Sequence, residues 1–150
     1  MNGSDIASWL RDEHEKLRGL SSTLSSAIAV IPKMPQPGWL NEVRSAFDQL
    51  RDHLNTHMTL EERDGYLTPV VDARPALSRV VQRLAHEHKE FRRLLDGIQR
   101  DFLSITAADR LLIGDCFRRI QELMRCVEHH EKDENLLVMS TFGQDLGTTD

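Results

Sequence analysis

In Val81-Gln82-Arg83-Leu84-Ala85-His86-Glu87-His88-Lys89-Glu90-Phe91-Arg92-Arg93-Leu94-Leu95, apolar side chains return at steps of three and four, and His88 occupies one of those steps. That is the period of one face of an α-helix. The seam runs on in both directions as Leu77, Val81, Leu84, His88, Phe91, Leu95, Ile98 and Phe102. A helix with such a stripe buries it against its neighbours, so the pattern puts a histidine in the core. The segment also has an echo. Asp12-Glu13-His14-Glu15-Lys16-Leu17-Arg18-Gly19-Leu20 parallels His86 to Leu94, with His14 and His88 separated by 74 positions. His57-x-x-x-Glu61 is echoed in the same way by His130-x-x-x-Glu134, displaced by 73.

Three further seams follow the same period. The first reads Ile6, Leu10, His14, Leu17, Leu24, Ile28, Ile31, opened by a Ser4-Asp5 cap signal and closed by Pro32. The stretch from Pro32 to Gly38 contains three prolines and cannot continue a helix. A second seam, Leu40, Val43, Phe47, Leu50, Leu54, His57, Glu61, stops near Gly65. Thr68-Pro69 and Arg74-Pro75 bracket a short connector with room for a further helical turn or two. After the third seam, Thr106 is the candidate N-cap of a fourth: Ile113, Phe117, Ile120, Met124, Val127, His130, Glu134, Leu137. The expected fold is all-α, an antiparallel up-down-up-down four-helix bundle with a helical core over about residues 5–140 and a disordered tail over 141–150.

His14, His57, Glu61, His88, His130 and Glu134 all fall within the apolar seams. Buried ionisable groups are costly unless they are paired or bind a metal. Their heights agree too. His14 and His88 come early in the first and third helices, while the two His-x-x-x-Glu pairs come late in the second and fourth. In an up-down-up-down arrangement, with about 1.5 Å of rise per residue, the six side chains meet in one layer.

A histidine and a glutamate four apart share a helical face, with Cβ atoms about 6 Å apart, so both can reach one metal. Four imidazoles and two carboxylates in a twofold arrangement suit two metals. Nitrogen and oxygen donors without thiolate favour non-haem iron over zinc or manganese. Two rival patterns fail by direct count. No glutamate here has a histidine three positions later, as the ferritin-type bundles require, and His-Glu-x-x-His is missing.

With 150 residues, 39% hydrophobic and 29% charged, the chain fits one globular domain. A net charge of −5 gives no electrostatic footprint for nucleic acid. No stretch approaches the roughly 20 apolar residues of a membrane span, and Met1 to Leu10 does not read as a secretory leader, so a soluble cytoplasmic protein is expected. Cys116 and Cys126 would sit about 15 Å apart along one helix, beyond the roughly 7 Å reach of a disulfide, which makes them free thiols.

The order His, His-x-x-x-Glu, His, His-x-x-x-Glu on four helices resembles the hemerythrin-like, or HHE cation-binding, domain family. The resemblance covers roughly positions 5–140 and carries that family's metal ligands onto His14, His57, Glu61, His88, His130 and Glu134. It implies two non-haem iron ions with an oxo or hydroxo bridge. Hemerythrin oxygen carriers have a fifth histidine in His-x-x-x-His on the third helix, whereas Leu84 and Arg92 flank His88 here, and the last helix carries Glu134 in place of the carriers' aspartate. The paired His-x-x-x-Glu motifs look more like the domain in bacterial iron-cluster repair proteins and in an iron-sensing ubiquitin-ligase subunit.

Two carboxylates and a bridging oxide leave a diferric pair at roughly plus two, which favours the reduced state. The expected partner is therefore a small diatomic (oxygen, nitric oxide) or peroxide, or iron itself. A binding or sensing module is the leading reading. The alternatives are a di-iron redox enzyme acting on peroxide, nitric oxide or damaged iron clusters, and a structural zinc site in an interaction module.

Among the remaining residues, His53, one turn before His57, is expected beside the site or at the surface, with a role as a fifth imidazole the alternative, and His86 and His129 point sideways. Glu13, Glu62 and Glu131 are candidates to orient ligating imidazoles. Tyr66 reads as packing, and Trp9 and Trp39 as caps at the bundle ends.

Overall fold

The computed structural model describes residues 3–143, and every regular element among them is helical. Four long helices, α1 (Gly3–Ile28), α2 (Pro37–Glu62), α4 (Ser78–Ser104) and α5 (Arg110–Phe142), are joined by loops and by one short helix, α3 (Thr68–Ala73), with a single 3-10 turn at Pro75–Leu77. Five helices are therefore present where four were expected, the addition being the bracketed connector. Of the tail expected to be disordered over 141–150, Thr141 and Phe142 instead belong to α5, and residues 144–150 lie outside the described residues.

Local chemistry explains where the helices begin and end. Gln36 is extended (φ −108°, ψ 152°), and Pro37 then opens α2 at the position where a missing N–H costs nothing. Beyond α2 the chain reverses through Gly65 at φ +89°, where a Cβ would collide with Thr68 Oγ1. Leu67 follows at φ 49°, a left-handed conformation that costs a leucine energy and is held by burial of its side chain. Gly143, at φ +68°, closes α5 by donating its N–H to Met139 O at 2.7 Å. The last long helix starts later than Thr106 suggests. Thr106 instead begins a turn in which its N–H donates to Asp109 Oδ2 at 2.7 Å, and α5 opens after Asp109.

The long helices pack in a ring, α1 on α2, α2 on α4, α4 on α5 and α5 back on α1. Two apolar clusters result. The larger includes Leu24, Ile28, Leu40, Phe47, Phe102, Ile113 and Ile120. The smaller, of Ile6, Leu10, Leu67, Val70, Leu84 and Val138, lies where α3 covers the ends of the long helices. At the far end Arg44 donates to the carbonyls of Phe102 (2.8 Å) and Ile105 (2.5 Å), satisfying acceptors that the end of α4 leaves open. Leu17, Leu54, Met58, Phe91 and Val127 of the larger cluster reach the polar layer that separates the two.

Candidate metal centre

All six seam residues meet in that layer. His14, His57, His88, His130 and Glu134 are buried, and the side chain of Glu61 is 3% exposed. His14 lies on α1, His57 and Glu61 on α2, His88 on α4, and His130 and Glu134 on α5. The four Nε2 atoms point inward. His14 Nε2 lies 3.2 Å from Glu134 Oε1, and His57 Nε2 lies 2.9 Å from Glu61 Oε1. His88 Nε2 is 3.3 Å from Glu61 Oε1 and 3.2 Å from His130 Nε2, which in turn is 3.5 Å from Glu134 Oε2.

The geometry resolves into two groups able to hold a metal ion, His14 with His57 and Glu134, and His88 with His130 and Glu134. Glu134 belongs to both. Glu61 touches one imidazole of each, so both carboxylates stand between the two positions.

The protonation pattern fits a cation. His88 Nδ1 donates to Glu62 Oε2 at 2.7 Å and His130 Nδ1 donates to Glu87 Oε1 at 2.8 Å. With those protons committed outward, the two Nε2 lone pairs face each other, an arrangement that a positive ion between them relieves. Both Glu61 oxygens are buried and receive no hydrogen bond when the group is ionised; only as a neutral acid can it share its proton with Glu134. A buried carboxylate left in that state is costly in a dry interior and is what a metal ligand requires.

Charge coupling inside the layer is strong. Burial and the neighbouring Glu134 push the Glu61 carboxyl well above the usual range. Burial acts the same way on Glu134, but Glu61, His130 and His14 outweigh it and hold that carboxyl well below. Burial lowers His57 to about 4 and also lowers His88, which keeps both imidazoles neutral, the form that binds a metal. For His14 and His130 burial is overcome by Glu134, and both are raised.

Several surrounding residues differ from their expected places. Trp9 is not an end cap: its ring stacks on His57 with centroids 5.1 Å apart and planes 6° from parallel. Tyr66 is more than packing, since its hydroxyl donates to Glu134 Oε2 at 2.5 Å and its ring meets His88 edge-on. Trp39, in the first turn of α2, packs on Phe117 near the start of α5, a place in keeping with an end cap. Of the three glutamates named as possible orienters, Glu62 holds His88, whereas Glu13 stands 3.7 Å from His57 Nδ1 and 3.5 Å from His53 Nε2. Glu131 is buried, and burial pushes its carboxyl up to about 7. Sequence reasoning missed Glu87, which lies one residue before His88 on α4 yet serves His130 on α5, so its sequence position gave no signal. His53 stays outside both ligand groups, and His86 and His129 are exposed.

A cavity of about 240 Å³ runs from the surface to Glu61, walled by Ile6, Trp9, Leu10, Tyr66 and Leu67. On the other side of the carboxylates a void of about 10 Å³, among Leu17, Met58, Phe91 and Val127, is about the size of one water. Among the described residues, no helix is long and apolar enough to cross a membrane. Cys116 and Cys126 are both free thiols, as expected.

Comparison with known proteins agrees with the geometry. Neither curated proteins nor solved structures yielded a match. The hemerythrin HHE cation binding domain matches over residues 5–142, nearly the whole chain. The chain belongs to the hemerythrin HHE cation-binding family.

Proposed function

We propose that the protein holds two iron ions in this layer, with His14, His57, Glu61, His88, His130 and Glu134 as ligands, and that it binds or senses a small molecule (oxygen, nitric oxide or peroxide) or iron itself. The observation that carries this reading is the position of Glu134, common to two three-residue groups whose ligand atoms lie within 4.8 Å of one another. Glu61 supports it by lying against one imidazole of each group. We read the four long helices as an up-down-up-down bundle, because His14 early in α1 sits beside His57 late in α2, and His88 early in α4 beside His130 late in α5.

A bound iron pair supplies one-electron redox steps and an exchangeable coordination position. The protein's own residues do the rest. Glu62 and Glu87 fix the tautomers of His88 and His130, and Trp9 holds the plane of His57. Tyr66 keeps a hydroxyl proton on Glu134 beside the layer, with its pKa raised by burial so that it stays a donor. The cavity ending at Glu61 gives a small ligand its path. Anaerobic reduced protein should change its absorption when nitric oxide, oxygen or peroxide is added. A reduced iron-loaded form that all three leave unchanged would sink the small-ligand reading.

A second reading, a redox enzyme that consumes peroxide or nitric oxide, is favoured by the Tyr66 hydroxyl beside the cavity, a proton donor placed where a reduced ligand would need one. Sustained turnover with an electron donor, lowered at least about 10-fold in Tyr66→Phe, separates the enzyme from the sensor.

A further inference from the structure

The two halves of the centre use the same ligand types but are supported differently from behind. In one half, His88 and His130 each donate Nδ1–H to a carboxylate, Glu62 at 2.7 Å and Glu87 at 2.8 Å. Arginines from α4 hold both carboxylates in place. Arg92 forks onto Glu62 at 2.7 and 3.0 Å, and Arg83 approaches Glu87 at 3.4 Å.

The other half has no such support. His57 Nδ1 is buried without a hydrogen-bond partner, and His14 meets the neutral amide of Asn135 in place of an arginine-held carboxylate. The carboxylate facing His57, Glu13, stands off at 3.7 Å and is shared with His53 at 3.5 Å and Lys16 at 3.6 Å. Trp9 stacks flat on His57, which restrains the ring but gives its nitrogen no basicity. Trp9 also walls the cavity that opens to the surface.

A carboxylate behind a ligating imidazole fixes the tautomer that leaves Nε2 free and makes that nitrogen a better donor, an effect of about 10- to 100-fold in metal affinity. We infer that the two positions load in order: the His88/His130 position takes its metal first, and the His14/His57 position fills second and exchanges more readily, with Glu62 and Glu87 as the positioning residues that set the order. The inference rests on the two-metal reading of the layer and deepens it. A protein with one tight and one exchangeable position has a one-metal state over a range of metal concentrations, and that range is where a metal-reporting module operates.

Titration of the metal-free full chain with Co2+ under argon, followed by visible absorption and calorimetry, tests this directly. The expected result is two steps, the first at least about 10-fold tighter than the second. His14→Ala should remove the second step and keep the first. Glu87→Gln, which keeps an acceptor of the same shape, and Glu62→Gln should each weaken the first step by about 10-fold or more, while Glu13→Gln leaves it unchanged. Circular dichroism of each variant shows whether the fold is intact; the side chains of Glu62 and Glu87 are 34% and 25% exposed, so neither glutamine substitution empties the core. Two Co2+ ions entering in one indistinguishable step, or Glu13→Gln weakening the first step as much as Glu87→Gln, would overturn the loading order while leaving the two-metal reading in place. No Co2+ binding at all would overturn both.

Discussion

The larger apolar cluster and the polar layer beside it are built from the same helices at similar burial, yet one is complete by itself and the other is not. Around Phe47 and Phe102, whose rings lie 5.9 Å apart, the neighbours in the cluster are apolar, and packing alone stabilises the region. In the layer, four imidazoles and two carboxylates are equally buried, but an ionised Glu61 receives no hydrogen bond and His57 Nδ1, which faces away from the centre, has no partner. The difference separates what folds the chain from what the fold is for. The apolar cluster supplies stability, and the layer lowers it until an ion arrives.

The largest expected effect breaks the apolar side. Phe47→Ala should cost about 3–5 kcal/mol of unfolding free energy by urea titration, by the same amount with and without metal. A loss that depended on metal would mean that the two regions are not separable.

Metal removal acts on the other side. At a free metal concentration about 100 to 1,000 times the dissociation constant, binding adds about 3–4 kcal/mol to stability, and a chelator should remove it. In Glu134→Ala, which deletes the carboxylate common to both positions, chelator should have almost no further effect. Equal chelator sensitivity in wild type and variant would show that the metal sits elsewhere.

Glu131, buried beside the layer, gives the protein a pH dependence that the apolar cluster lacks. Its folded pKa is raised to about 7 by burial, from 4.5. The folded state therefore favours the protonated acid. Stability from this group is fully present below pH 4.5 and declines between there and about pH 7, where the buried carboxyl must ionise. Glu131→Gln should stabilise the metal-free protein at pH 8, by up to about 3 kcal/mol, and make no difference at pH 4. Thermal unfolding at the two pH values distinguishes this from a uniform change.

The smallest effect is a control. His86 is exposed, 69% by side-chain area, next to but outside the layer. His86→Ala should leave the metal content unchanged and stability within about 0.5 kcal/mol. A drop in metal content would mean that α4 is rotated so that His86, and not only His88, faces the layer.

Much of this is legible in the sequence, for a physical reason. The helical period fixes which residues share a face, and burial of that face follows, so spacing alone puts His14, His57, His88, His130, Glu61 and Glu134 in one layer. What surrounds them depends on how far each helix is rotated and how the loops run. Glu87 reaches His130 across the groove between α4 and α5, a relation no spacing encodes. Tyr66 arrives on Glu134 because the chain turns at Gly65 and passes through the left-handed Leu67. Trp9 lies one turn and a half before His14, yet it faces His57 on α2. Thr106 suggests too early a start for α5, because Asp109 receives the turn's hydrogen bonds and only then, at Arg110, does the helix open.

We read the layer as a site for two irons. The most direct test is metal analysis of the protein purified without added metal, together with its near-ultraviolet absorption before and after dithionite. Two irons per chain are expected, with a charge-transfer band that reduction removes. One zinc per chain, or no metal with the fold intact, would contradict that reading.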